Sequence, residues 1–289
     1  MKYITNVWSL QPRTKIYKNT YKQIEEFNSI TQRLYLQIYR RPSSLMINLI
    51  QPLLWLILFG ALFQNAPIHL FTGENMKYKE FLNPGIIIFT AFNNSINAGL
   101  PVIFDREFGF LNRILVSPLI NKKSLIYSCI THTWIITNIQ IIIITIFSSY
   151  QTKTELKLNQ LLLIISISTL VIISISSLSI CNAFILPGHI EFIALTTLFI
   201  NLPTLFASTA LAPLSFMPYW LQIIVCINPL TYAVEIIRQN NLHQQILFNK
   251  NIISTIWFNV GFKESIFILI FINIISFILV NKIIKYKYD

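Results

Sequence analysis

Charged residues are scarce in this sequence: Asp, Glu, Lys and Arg together make up 11% of it. Acids are the scarcer sign, with 11 Asp+Glu against 22 Lys+Arg. None of the acids lies in the middle of an apolar run. That weighs against a proton- or sodium-driven carrier, which generally keeps a carboxylate within the membrane. No two acids have the Asp-x-x-x-Asp spacing that would hold magnesium against a diphosphate, so an intramembrane prenyltransferase is not indicated. Glycine occurs seven times and is never followed by lysine. A Walker phosphate loop is therefore missing, and the chain cannot bind ATP in that way itself. The three cysteines, Cys129, Cys181 and Cys226, form no Cys-x-x-Cys pair. Their odd number and apolar surroundings point to buried small side chains, with neither a disulfide framework nor a zinc site. The four histidines, His69, His132, His189 and His243, lack metal-binding spacing. His132 falls inside an apolar run, where a pathway role and an interfacial role are both open. No cofactor is expected.

Apolar residues are abundant instead, at 54% of the sequence with a mean hydropathy of +0.60. Several runs of roughly 20 apolar residues are long enough to cross a hydrocarbon core of about 30 Å. They are centred on residues 45–63, 81–104, 125–147, 161–186, 192–214 and 266–280. Residues 1–44 are polar and basic and lack the apolar core of a cleavable signal peptide. The net charge of +11 does not indicate nucleic acid, because most basic residues flank the apolar runs. Six spans place both termini on one side, together with the loop at 104–124. That side carries fifteen Lys and Arg and the other side seven, so the basic side is expected to be cytoplasmic or its organellar equivalent.

The pattern predicts an all-α integral membrane protein: six transmembrane helices, an N-terminal interfacial helix and a re-entrant hairpin before the last helix. A basic tail, 1–24, precedes an amphipathic helix, 25–41, in which Phe27, Ile30, Leu34 and Ile38 share one face and Glu25 and Glu26 sit at the N-terminal end. Such a helix lies in the membrane interface or binds a partner. The transmembrane part runs over 45–283, and 284–289 form a second basic tail. Within the second span, Asn93, Asn94 and Asn97 make an unusually polar patch, to be read either as pathway lining or as interhelical hydrogen bonding. The fourth span is rich in serine, which favours close helix packing. In 215–238, the apolar part from Leu221 to Ile227 is too short to span, so a re-entrant or interfacial helix pair is expected.

One charged stretch, 104–119, interrupts the apolar pattern. Read as a helix, it places Phe108, Leu111, Leu115 and Ile114 on one face, with Arg106, Glu107, Asn112 and Arg113 around the rest, up to a stop at Ser117-Pro118. A merely solvated loop is the competing reading.

These residues resemble a family. Arg-Arg-Pro at 40–42, Gln-Pro-Leu-Leu-Trp at 51–55 with Phe59-Gly60, and Phe-Leu-x-Pro-Gly at 81–85 are similar to segments of the ABC-2 type permeases. So are the stretch 106–119, Met-Pro-Tyr-Trp at 217–220, Asn-Pro-Leu-Thr-Tyr at 228–232 and Arg238. The isoleucine-rich composition further resembles the ABC-2 permease encoded in red-algal plastids. The resemblance implies the membrane subunit of an ATP-driven exporter, working as a dimer, most simply a homodimer, with two copies of a separate ATPase subunit. Residues 25–41 would be a connecting helix. The segment 104–119 would dock on the ATPase through Arg106, Glu107, Phe108, Gly109, Phe110, Leu111 and Arg113, with Glu107 as the polar contact. Asn112 departs from an acidic preference there. Pro218, Trp220, Asn228 and Pro229 would lie near the outer gate, Asn93, Asn94 and Asn97 near the pathway, and membrane lipid around the whole. A self-contained carrier or channel is the alternative, and a cytochrome-maturation haem exporter subunit a lower one.

Overall fold

The computed structural model describes residues 20–64, 77–111, 113, 123–154, 157–185, 190–243, 251–254 and 259–288. Among the described residues, ten α-helices and a short hairpin follow one another: α1 (Thr20–Arg40), α2 (Pro42–Leu62), α3 (Tyr78–Ile96), α4 (Leu100–Glu107), α5 (Lys123–Thr152), α6 (Leu158–Ile185), α7 (Ile190–Phe206), α8 (Tyr219–Ile227), α9 (Pro229–His243), β1 (Asn251–Ser254), β2 (Asn259–Gly261) and α10 (Phe262–Tyr288). Among the described residues, five helical stretches are long and apolar enough to cross a membrane, or six if the bent pair α8–α9 counts as one.

Several expected boundaries move. The N-terminal helix begins at Thr20, not at 25, so Glu25 and Glu26 sit beyond its first turn and residues 20–24 are helical, not a tail. Pro42 opens α2 as its first residue, where a missing N–H costs nothing, and α2 runs on through Pro52. The last helix starts at Phe262 and extends to Tyr288, so most of the second tail is helix too. The expected fifth span stops at Phe206, short of 214. Beyond it the carbonyls of Ala207, Thr209 and Leu211 are taken by the side chains of Asn228, Arg238 and Tyr78. Those tertiary donors let the chain leave the helix without stranding polar backbone groups in the membrane. The antiparallel β1–β2 pair, joining α9 to α10, is an addition to the all-α expectation.

Two clusters of buried apolar side chains stack along the helix axes. One gathers Phe81, Ile86, Ile144, Ile164, Ile236 and Phe262 with their neighbours. The other gathers Leu34, Val102, Leu111, Leu125, Phe184 and Val280. The second defines what we call the basal end, where α1 joins α4, α5, α6 and α10. The first defines the distal half, where α3 begins and α5 ends. The described ends of α4 and α5 that border 104–124 lie at the basal end, and those of α2, α3 and α5 that border 64–80 and 148–160 lie at the distal end. Glycine allows two close approaches. A Cβ on Gly85 would stand 2.3 Å from the carbonyl oxygen of Ala210, and one on Gly99 would stand 2.7 Å from that of Ser179.

Candidate functional site

At the basal end, α4 stops at Glu107. The N–H of Phe108 donates to the Phe104 carbonyl at 3.0 Å and that of Gly109 to Arg106 at 3.1 Å, with Gly109 at φ 70°. This left-handed glycine closes the helix, a conformation that would strain any residue with a Cβ. The continuous amphipathic helix expected over 104–117 is therefore broken. Its first four residues finish α4, and the chain turns at Phe108–Gly109. Phe108 and Leu111, assigned to one face, separate: Phe108 is 78% exposed and Leu111 2%. Glu107, Gly109 and Arg113 are exposed, and Phe110 is 40% exposed. Asn112 and residues 114–119, with Ile114 and Leu115, lie outside the described residues.

Two charges of this end turn inward. Asp105 is buried and pairs with Arg33 of α1 at 2.5 Å, while the Arg33 guanidinium lies 5.0 Å from the centre of the Phe110 ring. Arg106 donates to the Ala183 carbonyl at 2.9 Å, tying α4 to the end of α6. The α1 helix is held against α5 as well: Ser128 Oγ donates to the Phe27 carbonyl at 3.2 Å and Ser124 Oγ to Glu26 at 3.5 Å. Burial raises the Tyr35 phenol above its ordinary pKa. The buried His132 ring packs 5.1 Å from that of Tyr35, a further contact between α5 and α1. Sequence reasoning did not single out Asp105, because its partner lies 72 residues away and no short-range rule connects them.

The asparagines in mid-span divide. Asn94 is buried and donates to Gln140 Oε1 of α5 at 2.5 Å. Asn93 Oδ1 accepts from Asn201 of α7 at 2.6 Å. Asn97 Nδ2 bonds the Asn93 carbonyl in its own chain turn at 2.9 Å. Two of the three thus join helices, and the third caps α3. Beside them the break between α3 and α4 is stapled by Ser179, which donates to the Ile96 carbonyl at 2.5 Å and accepts from the Gly99 N–H at 3.1 Å.

At the distal end α8 and α9 meet at 87°. Pro218 is the N-cap of α8 and Pro229 the first residue of α9. Asn228 Nδ2 donates to the Thr204 and Ala207 carbonyls at 3.0 and 2.6 Å, closing α7, while its Oδ1 accepts from Leu230 N at 3.0 Å and caps α9. Thr231 Oγ1 and the Tyr232 hydroxyl donate to the Val225 and Cys226 carbonyls at 2.7 and 2.6 Å. The polar members of Asn-Pro-Leu-Thr-Tyr thus satisfy the backbone groups that the bend sets free. Arg238, buried and paired with Glu235, donates to the Phe81 and Thr209 carbonyls at 3.3 and 2.7 Å and stacks over the Phe81 ring. Trp220 is exposed on the outer surface of α8.

A helical multi-pass membrane protein, with a clasped helix end at one pole and a sharply bent helix pair at the other, is the class that this architecture defines. The sequence profile of the ABC-2 type transporter family matches residues 25–242, and the chain belongs to that family. It is 46% identical over 271 residues to the "Putative transport permease ycf38" of Porphyra purpurea, covering 94% of this chain and 92% of the relative. The proteins of the same name from Cyanophora paradoxa and Pyropia yezoensis are each 45% identical, with 91% and 95% of this chain covered and 90% and 93% of theirs.

Proposed function

We propose that this chain is the membrane-spanning permease of an ATP-driven exporter, working as a homodimer with two copies of a separate ATPase subunit. It acts in a plastid membrane, as its relatives in red algae and a glaucophyte imply. The supporting observation is the tip of α4. Phe108, stacked 6.4 Å from Phe104, and Glu107 stand exposed where a helix continuous with the second span ends. Asp105 and Arg106 anchor the base of that tip to α1 and α6, so a push on it is transmitted to three helices and not absorbed by a loop. On this reading 104–119 couples to the ATPase, 25–41 is the connecting helix, 45–283 the transport domain between two basic tails, and 215–238 the outer re-entrant element. Exposed apolar side chains of α2 (Ile47, Ile50, Leu54) and α7 (Leu198, Phe199, Leu202) offer faces to a second permease and to the pathway. The Asn93–Asn201 bond would then link spans two and five beside that pathway.

Among the described residues, the two acids nearest the helix bundle, Asp105 and Glu235, are both paired with arginine, which does not favour the free carboxylate an ion-driven carrier would use. The purified chain is expected to hydrolyse no ATP above background. Replacing Glu107 or Phe108 by Ala should leave insertion intact and weaken co-purification of the ATPase. For a partly desolvated charge contact the loss is about 2–5 kcal/mol. Undiminished co-purification and transport in both variants would refute the coupling role.

A further inference from the structure

A second polar feature lies at the distal end, away from the coupling tip. The end of α2, the start of α3 and the end of α5 enclose a cavity of about 270 Å³, lined by Gln64, Lys77, Tyr78, Lys79, Glu80, Gln151, Thr152 and Lys153. Three of the seven basic residues on this side of the membrane therefore converge on one space. Among the described residues, none of the three lysines has a carboxylate within ion-pairing distance. Glu80, the acid in the wall, is engaged by the Lys77 backbone N–H at 3.4 Å. The cavity is thus left with an excess of positive charge. Its wall also holds an acceptor, because Gln151 Oε1 is buried without a hydrogen-bond partner.

The apolar surroundings select the kind of anion. The Lys79 stem lies along α2 at Gly60, where an added Cβ would come within 3.2 Å of its Cγ. Below the cavity, the half-buried Leu53 and the exposed Ile57 form an apolar stripe on the face of α2 that carries Gly60 and Gln64. Ammonium groups at the level of the headgroups with an apolar stripe beneath them suit an amphiphile with an anionic head. We infer that this cavity binds the anionic, hydroxyl-bearing headgroup of a membrane lipid, its charge held by Lys77, Lys79 and Lys153, a hydroxyl by Gln151, and its acyl chains along α2. Inorganic phosphate shares the head chemistry but would gain nothing from the stripe.

The full-length chain, reconstituted in phosphatidylcholine nanodiscs containing a minor fraction of phosphatidylglycerol, is extracted and its retained lipid measured by mass spectrometry. Preferential retention of phosphatidylglycerol is expected. The Lys77→Gln, Lys79→Gln, Lys153→Gln triple variant should reduce that preference about tenfold or more. Lys263→Gln, at the same end but outside the cavity, should not. Thermal unfolding in pure phosphatidylcholine checks that the variants fold equally, and Lys153→Gln alone should give a partial loss should the triple variant not fold. A preference that survives removal of the lysines overturns the inference. Stabilisation by inorganic phosphate in detergent without any lipid preference also overturns it, assigning the cations to a soluble anion.

Discussion

Asp105 shows how a single side chain acquires meaning from its surroundings. By composition it is one of several charges in a polar stretch; in the fold its carboxylate is buried and meets Arg33, while Glu107 two residues on is exposed. A charge-assisted bond of this kind, shielded on one side, contributes about 1.5–3 kcal/mol, and removing one partner strands the other. Asp105→Asn should lower the midpoint of thermal unfolding in detergent and expose the α1–α4 junction to protease. Adding Arg33→Gln should restore part of the loss, because no unpaired guanidinium then remains. A double-mutant cycle with zero coupling would show that the pair is incidental.

Helix ends carry most of the fold's specificity at the next scale. The bend between α8 and α9 brings two carbonyls at the end of α7 and the Leu230 N–H at the start of α9 within reach of one amide, Asn228, in an environment where water is not available to satisfy them. Asn228→Ala removes the cap of α9 and leaves the Thr204 and Ala207 carbonyls without that donor. A loss of about 1–3 kcal/mol is expected, with faster hydrogen exchange in the first turn of α9. Gly85 is constrained in another way, since the Ala210 backbone occupies the place of its side chain. Gly85→Ala must push the 207–213 segment away from α3 and should cost about 1–3 kcal/mol. Gly109→Ala meets open space and suffers only the left-handed backbone, so its cost should stay near 1 kcal/mol. Equal thermal midpoints for the two alanine variants would contradict this ranking.

Over the whole molecule, charge and packing agree on two poles. If the basic asymmetry governs insertion, a single cysteine at Arg113 is shielded from a membrane-impermeant reagent added outside, while one at Thr154 is labelled; the reverse pattern would invert the topology. The sequence alone determined the membrane character, the sites of five of the spans, and the two ends, because a run of apolar residues and the charges that border it are local properties read by the bilayer itself. It also marked the break at Asn228-Pro229 by residue type, but it carried a helix through Gly109, where the fold has a left-handed turn. Only tertiary structure decided the rest. That α7 stops at Phe206 depends on side chains from α3, α9 and the α8–α9 bend claiming the carbonyls that follow. That Asn94 bonds Gln140 while Asn97 caps its own helix depends on which neighbour each meets. That three lysines from the start of α3 and the end of α5 surround one cavity follows from α3 beginning beside the ends of α2 and α5. Periodicity assigns a residue to a face of its helix; only packing supplies what that face touches, and a buried polar group is defined by its partner.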